Sequence, residues 1–316
     1  MRVIFHYGIG PGVRRRLEAV STGDLEVTPC DEADDTRFAE LMAEADVLWH
    51  VLRPVSAGDM AGAPNLRLIQ KIGVGVNTID LEAAKERDIH VCNMPGTNTR
   101  AVAEMTLALM LAAVRRLPEY GRAVSAGKGW VMDATLQDQV SEIGGSTVGL
   151  VGFGAVPRAL APILKALGAR VLYTARDPRP EAEGLAAFRD LPDLLAACDI
   201  VSLHVPQTPE TEGIIDGGAL ARMKPGAILV NTARGGLVDE EALIAALEGG
   251  HLRAAGLDVF AREPVDPTDP LLRLDNVVLT PHVAWLTTDT IERSLEVAVD
   301  NCRRLAAGEP LMFQVV

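Results

Sequence analysis

The chain has 316 residues, 48% of them hydrophobic and 23% charged, with 30 Lys and Arg against 43 Asp and Glu for a net charge of −13. Its length suggests two domains, and its balance excludes disorder, collagen-like sequence and a coiled coil. The acidic excess argues against nucleic acid or an anionic membrane surface as partner, since both are held through clustered Lys and Arg.

Taken in chain order, short β-branched runs alternate with helical patterns along nearly the whole length. The opening MRVIFHYG lacks the apolar stretch and cleavage site of a secretory signal. Strands are predicted over Arg2–His6, Val47–Val51, Leu66–Ile72 and Ile89–Cys92. The longest helical pattern follows, from Asn98 to Ala126, with Arg115, Arg116 and Pro118 near its middle. Its most apolar part, Met105–Val114, has about half the length a bilayer span requires, so no membrane segment and a cytoplasmic location are expected. Gly127, Lys128, Gly129 and the Gly144–Gly145 pair break the pattern. Further strands are predicted over Thr147–Val151, Arg170–Tyr173, Ile200–Leu203, Ala227–Asn231, Ala254–Leu257 and Val277–Leu279. A last helix, Thr287–Ala307, has no strand after it and is expected to fold back onto the first block. Several strands are apolar on both faces, as parallel strands covered by helices must be, so the expected class is α/β with two doubly wound parallel-sheet domains. Their expected bounds are 1–99 with 286–316, and 100–285. Cys30, Cys92, Cys198 and Cys302 form no CxxC pair and the histidines no HxxxH pair, so no metal is expected.

Residues 147–158 read as a strand, a glycine turn and a helix start. Gly152 permits the tight turn and Gly154 lets backbone approach a pyrophosphate, which the free N–H groups of the following helix would receive. Pro157 stands where a third glycine is usual, and proline is tolerated in a first helical turn. The second strand of this unit ends in Tyr173–Thr174–Ala175–Arg176–Asp177–Pro178–Arg179. Ala175 takes the place of the carboxylate that would bond ribose hydroxyls, and Arg176 follows it, a pairing suited to a 2′-phosphate. NADP(H) is therefore favoured over NAD(H), with Asp177 as ribose acceptor the alternative. Gly121–Lys128 only faintly resembles a P-loop, since no Ser or Thr follows the lysine.

Three stretches place polar groups at strand ends in the second half: Asn231–Thr232–Ala233–Arg234–Gly235–Gly236, Gly256–Leu257–Asp258 leading to Arg262–Glu263–Pro264, and Thr280–Pro281–His282 leading to Trp285. Together with Leu203–His204–Val205–Pro206–Gln207–Thr208–Pro209–Glu210–Thr211 and Lys71–Ile72–Gly73–Val74–Gly75–Val76–Asn77, this ordered set resembles the D-isomer-specific 2-hydroxyacid dehydrogenase family over essentially the full length. The resemblance implies a Rossmann dinucleotide-binding domain and a flavodoxin-like substrate domain. It implies His282 as general acid and base, Glu263 as its partner and Arg234 as the residue that holds substrate. Reducing a keto group needs a proton as the hydride arrives, and histidine titrates nearest the working pH. A neighbouring carboxylate favours the imidazolium, and a guanidinium grips a carboxylate while polarising the carbonyl beside it.

By the same resemblance the Val74–Gly75–Val76 turn offers N–H groups to the substrate carboxylate, and Asp258 bonds a nicotinamide amide. Further cofactor contacts are implied for Gly152, Phe153, Gly154, Ala155, Val156, Arg176, His204, Val205, Pro206, Thr211, Thr232, Ala233 and Ala284. Arg53 reads equally as a second cation at the substrate and as a surface residue, and Trp285 and Met105 as pocket or core. Trp130 lies in the segment that forms the dimer arm of the family, so a homodimer is expected. Tyr173–Arg176 with Arg179–Pro180 resembles the glyoxylate/hydroxypyruvate reductase branch. Phosphoglycerate or another D-2-hydroxyacid dehydrogenase is the runner-up. A cofactor-sensing corepressor, which shares the fold, is the reading from another class.

Overall fold

The computed structural model describes residues 1–128, 130 and 134–316, and Gly129 of the expected helix break lies outside them. The chain divides into two compact units, Met1–Asn98 with Trp285–Val316, and Thr99–Ala284.

The first unit is built on β1 (Arg2–His6), β2 (Glu26–Cys30), β3 (Val47–His50), β4 (Leu68–Lys71) and β5 (His90–Cys92). They pair in parallel in the order β2-β1-β3-β4-β5, the flavodoxin-like arrangement, which reverses direction between β1 and β3. β3 and β4 are buried along their whole length, as central parallel strands must be. Ile4, Leu48, Ile69 and Val91 of the sheet share a core with Phe38, Met42 and Met60 from the helices Asp35–Met42 and Ala57–Ala61. β2 was not expected as a strand because Pro29 interrupts it. Proline lacks the ladder N–H and survives at an edge, where β2 lies.

The helix Thr288–Ala307 starts at Thr287, whose side chain accepts the Thr290 N–H. It docks on this unit through Asn301, fully buried, whose Nδ2 donates to Gln70 Oε1 of β4 at 2.6 Å. The residues after it run along β5, with Val91 N–H donating to Val316 O and Val315 N–H to Val91 O. That covers an edge whose backbone groups would otherwise stay unpaired.

The second unit holds β6 (Thr147–Val151), β7 (Arg170–Thr174), β8 (Ala187–Phe188), β9 (Ile200–Leu203), β10 (Ala227–Asn231), β11 (Leu252–Leu257) and β12 (Val277–Leu279). All pair in parallel in the order β12-β11-β10-β9-β6-β7-β8, a Rossmann arrangement reversing between β6 and β9. Leu150, Ile228 and Val230 pack on one face and Val151, Leu203 and Leu229 on the other. β8, at two residues, is too short for hydrophobic periodicity to register, which is why no strand was expected there.

The single helix expected over Asn98–Ala126 is two, Thr99–Val114 and Leu117–Ser125. Pro118 has no N–H to give Val114 O, and its ring would clash with that carbonyl. The chain turns at Arg116, which takes a left-handed φ of 51°. All four cysteines are buried and unpaired. Among the described residues, no helix is long and apolar enough to cross a membrane, and no group of three or more potential ligands gathers for a metal ion.

Candidate active site

At the carboxyl end of β6, Gly152 takes a φ of 101°. A Cβ added there would lie 2.7 Å from His204 O, so the chain leaving β6 and the chain leaving β9 touch at the sheet's reversal. Only glycine fits both the angle and the approach. Gly154 caps the helix Ala155–Ala166 without any side-chain acceptor, and a Cβ on it would meet nothing within 4 Å. Open space thus faces the unbonded N–H groups and positive dipole end of a twelve-residue helix, which suits a pyrophosphate. Pro157 is buried in the first turn, where its missing N–H had no intrahelical partner. Phe153 packs on Tyr173 with ring centroids 4.5 Å apart.

Arg176 is exposed beyond β7. The Thr208 hydroxyl and, more weakly, the Arg176 charge lower the Glu210 carboxyl. Thr211 Oγ1 donates to Pro206 O at 2.6 Å and accepts the Thr208 N–H at 2.8 Å, closing the turn that follows Val205. His204 is half-buried, with Nε2 2.9 Å from Ser202 Oγ, and desolvation lowers its imidazole to about 3, so it is neutral.

The loop after β10 is shaped by Asn231. Its Nδ2 donates to Arg234 O at 2.8 Å and its Oδ1 accepts the Ala233 N–H at 3.0 Å. Thr232 Oγ1 lies 2.8 Å from Thr106 Oγ1 on the long apolar helix. A Cβ on Gly235 would fall 1.8 Å from Phe260 O, so this loop rests directly on the one that leads from β11 to Glu263. The Arg234 guanidinium donates to Ala233 O at 2.6 Å; burial lowers its pKa, and the charge of Glu263 works against that.

Asp258 at the end of β11 is fully buried. Its Oδ1 accepts from Thr280 Oγ1 at 2.6 Å and from Val283 N–H at 2.9 Å, its Oδ2 from Ala284 N–H at 2.9 Å, and its backbone carbonyl from His282 N–H at 2.7 Å. Burial raises the Asp258 carboxyl, and those side-chain and backbone bonds oppose the rise. The four bonds hold the loop after β12 with His282 at a φ of 54°. His282 Nδ1 lies 2.6 Å from Glu263 Oε2, while Glu263 Oε1 accepts the Phe260 N–H at 3.0 Å. Burial pushes the Glu263 carboxyl up. The hydrogen bond and charge of His282, the Phe260 N–H and the Arg234 charge outweigh it, and the group stays a carboxylate. The Glu263 contact thus engages Nδ1 of the His282 ring. The second unit therefore brings Arg234, Glu263 and His282 together at neighbouring strand ends.

Val74, Gly75, Val76 and Arg53 belong to the first unit, beyond the carboxyl ends of β4 and β3. Val74 is exposed and its carbonyl accepts from Asn93 Nδ2 at 2.9 Å. The Arg53 guanidinium is 2.9 Å from Asp35 Oδ1 and 3.4 Å from Asp59 Oδ1. Trp285 is buried edge-on to Tyr7, with centroids 5.6 Å apart, and Met105 packs on the second unit's core. Trp130 is 91% exposed. Thr280 belongs to a stretch quoted from the sequence but was given no role there, whereas Thr106 was not singled out, lying in an apolar helix with no signal nearby.

The family model described as D-isomer specific 2-hydroxyacid dehydrogenase, NAD binding domain, matches residues 107–284. Over 299 residues the chain is 40% identical to a D-3-phosphoglycerate dehydrogenase of Mycobacterium bovis, covering 90% of this chain and 54% of that protein, so it spans about half that relative's length. It is 40% identical over 284 residues to a glyoxylate reductase of Korarchaeum cryptofilum, covering 88% of this chain and 86% of the relative. The crystal structure of the TT0316 protein from Thermus thermophilus superposes over the whole of both chains with a TM-score of 0.88 at 39% identity. On the matched dinucleotide-binding region and these identities, the chain belongs to the D-isomer specific 2-hydroxyacid dehydrogenase family.

Proposed function

We propose that the chain reduces a small 2-keto acid to the D-2-hydroxy acid, with glyoxylate and hydroxypyruvate as favoured substrates. The observation that carries this reading is the 2.6 Å contact of His282 Nδ1 with Glu263 beside Arg234. When bound, a reduced nicotinamide dinucleotide supplies the hydride. Gly152, Phe153, Gly154, Ala155 and Val156 would hold its pyrophosphate, because the open face at Gly154 and the uncapped helix start fit that group. His204, Val205, Pro206, Thr211, Thr232, Ala233, Asp258 and Ala284 would flank it from the neighbouring strand ends. Glu263 holds the Nδ1–H of His282 and fixes the ring, so that Nε2–H gives its proton to the carbonyl oxygen. Arg234 grips the substrate carboxylate and polarises the carbonyl beside it, and family resemblance makes the Val74–Gly75–Val76 turn of the first unit a further candidate for substrate binding.

NADP(H) is the favoured cofactor, because Ala175 leaves no carboxylate at the ribose position and exposed Arg176 follows it. A homodimer is supported by Leu117, Val124 and Trp130, which stand exposed on and after one helix, and a monomer in solution would contradict it. The phosphoglycerate dehydrogenases among the relatives offer a substrate alternative, a phosphorylated keto acid. The test follows loss of reduced-nicotinamide absorbance with NADPH and NADH against glyoxylate, hydroxypyruvate, pyruvate and phenylpyruvate. Turnover of the small acids with NADPH is expected. Turnover with NADH alone would overturn the cofactor preference, and binding of either dinucleotide without turnover of any keto acid would overturn the reaction.

A further inference from the structure

β7 pairs with β6 in the second unit, and the residues leaving β7 stand where a dinucleotide's adenine ribose would be met. Thr174 O accepts the Gly152 N–H at 2.9 Å, which ties the end of β7 to the glycine turn. Tyr173, one residue earlier, is buried. Its ring contacts Phe153, with centroids 4.5 Å apart, and Phe188 edge-on at 5.6 Å. A buried phenol needs a partner for its hydroxyl. Tyr173 Oη accepts the Arg179 N–H at 2.6 Å and stands 3.5 Å from Arg179 O, so the loop returns to the strand it left. Among the described residues, no other hydrogen bond fastens the backbone of residues 175–178 to the sheet.

Charge alone does not make this loop attractive to an anion. Arg176 and Arg179 are exposed on it, and Asp177 stands between them in the chain. Glu181, in the turn that follows, has Oε1 3.7 Å from Arg158 Nη1. Glu210, whose carboxyl is lowered by the Thr208 hydroxyl and then by the Arg176 charge, adds a further carboxylate. Arg189, whose N–H donates to Tyr173 O at 2.9 Å, turns its guanidinium to Phe188 O at 2.6 Å. With cations and carboxylates nearly balanced, the grip on a phosphate depends on where the Arg176 donors are held, and the loop backbone sets that.

We infer that the Tyr173 hydroxyl is a positioning group for dinucleotide selection: by holding the Arg179 N–H it fixes the loop that presents Arg176 to a 2′-phosphate. This rests on the proposed preference for NADP(H) and names a buried residue, away from the phosphate itself, that sets it. 2′,5′-ADP and 5′-AMP, which differ only in the 2′-phosphate, are the probes, and calorimetry reads their binding without turnover. Wild type is expected to bind 2′,5′-ADP about tenfold or more tightly than 5′-AMP. Tyr173→Phe keeps the ring on Phe153 and Phe188 and leaves the Arg179 N–H without its acceptor. That advantage then falls by about fivefold or more, with 5′-AMP affinity retained. Arg176→Ala loses the advantage outright, and adding Tyr173→Phe to it costs nothing more, since the tyrosine acts through the arginine.

A wild-type advantage that persists in Tyr173→Phe overturns the inference. So does an equal loss of affinity for both nucleotides, which is what a merely structural tyrosine would give. Amide hydrogen exchange reads the same bond in wild type, should the variant fold poorly. The Arg179 amide is expected to exchange slowly in the free protein and more slowly with 2′,5′-ADP, whereas 5′-AMP leaves its rate unchanged. Exchange at the rate of an unprotected amide, or identical protection by the two nucleotides, refutes the role. A wild type that binds 5′-AMP as tightly as 2′,5′-ADP contradicts the NADP(H) preference itself, and the inference falls with it.

Discussion

An added Cβ at Gly235 would lie 1.8 Å from Phe260 O, so the backbone that carries Arg234 is seated on the loop that carries Glu263. The two seated loops thus fix the spacing of Arg234 and Glu263. A lysine at position 234 keeps the charge but loses the planar fork that grips a carboxylate. For Arg234→Lys we expect kcat/KM for glyoxylate to fall by about 10²–10³-fold with dinucleotide affinity retained. A fall of less than twofold would contradict the role given to the fork. The structure brings Arg234, Glu263 and His282 to neighbouring strand ends, and these residues, proposed to carry the chemistry, were picked out in the sequence because each sits in a short motif. Thr106 was not, since it reaches Thr232 across 126 residues of chain, and no local pattern marks such a contact. The left-handed backbone of His282 was equally hidden, being fixed by bonds to Asp258 from Thr280, Val283 and Ala284.

Ten of the strands announced themselves as apolar β-branched runs, because a parallel strand covered on both faces has little else to be made of. The two edge strands that escaped are those with the least to bury: β2 carries Pro29, and β8 has two residues. The helix break at Arg116 was readable in principle from Pro118, yet the apolar periodicity on either side suggested continuity. Pairing across the first sheet has a consequence for stability. It aligns Cys30, His6, His50 and Lys71 in one row at the carboxyl ends of β2, β1, β3 and β4. Desolvation lowers His6 from 6.5 to about 4, and His50 also falls well below its ordinary value. The unfolded chain takes up protons near the ordinary value while the folded chain does not. Stability is therefore fully present above 6.5 and is lost as pH falls from there towards about 4. His6→Phe removes one of these groups, so the urea midpoint should decline less steeply than in wild type over that range. Parallel decline in the two proteins would show that His6 stays uncharged in both states or titrates alike in both.

At the scale of the molecule, a net charge of −13 sets an unfavourable background for anionic keto acids and dinucleotides, so their binding must rest on local donors. Arg234 and the helix start after Gly154, which has no side-chain cap, are the donors proposed for that binding. Fold class followed from strand–helix alternation, but strand order did not, because periodicity says which residues are buried and not which strands are neighbours. The most direct measurement is the reduction of hydroxypyruvate by wild type and by His282→Asn, with the glycerate resolved by chirality and dinucleotide binding followed in parallel by fluorescence. Wild type is expected to yield D-glycerate, and His282→Asn to lose about 10²–10⁴-fold in kcat with dinucleotide binding retained. L-glycerate from wild type, or undiminished turnover in His282→Asn, would contradict the assignment.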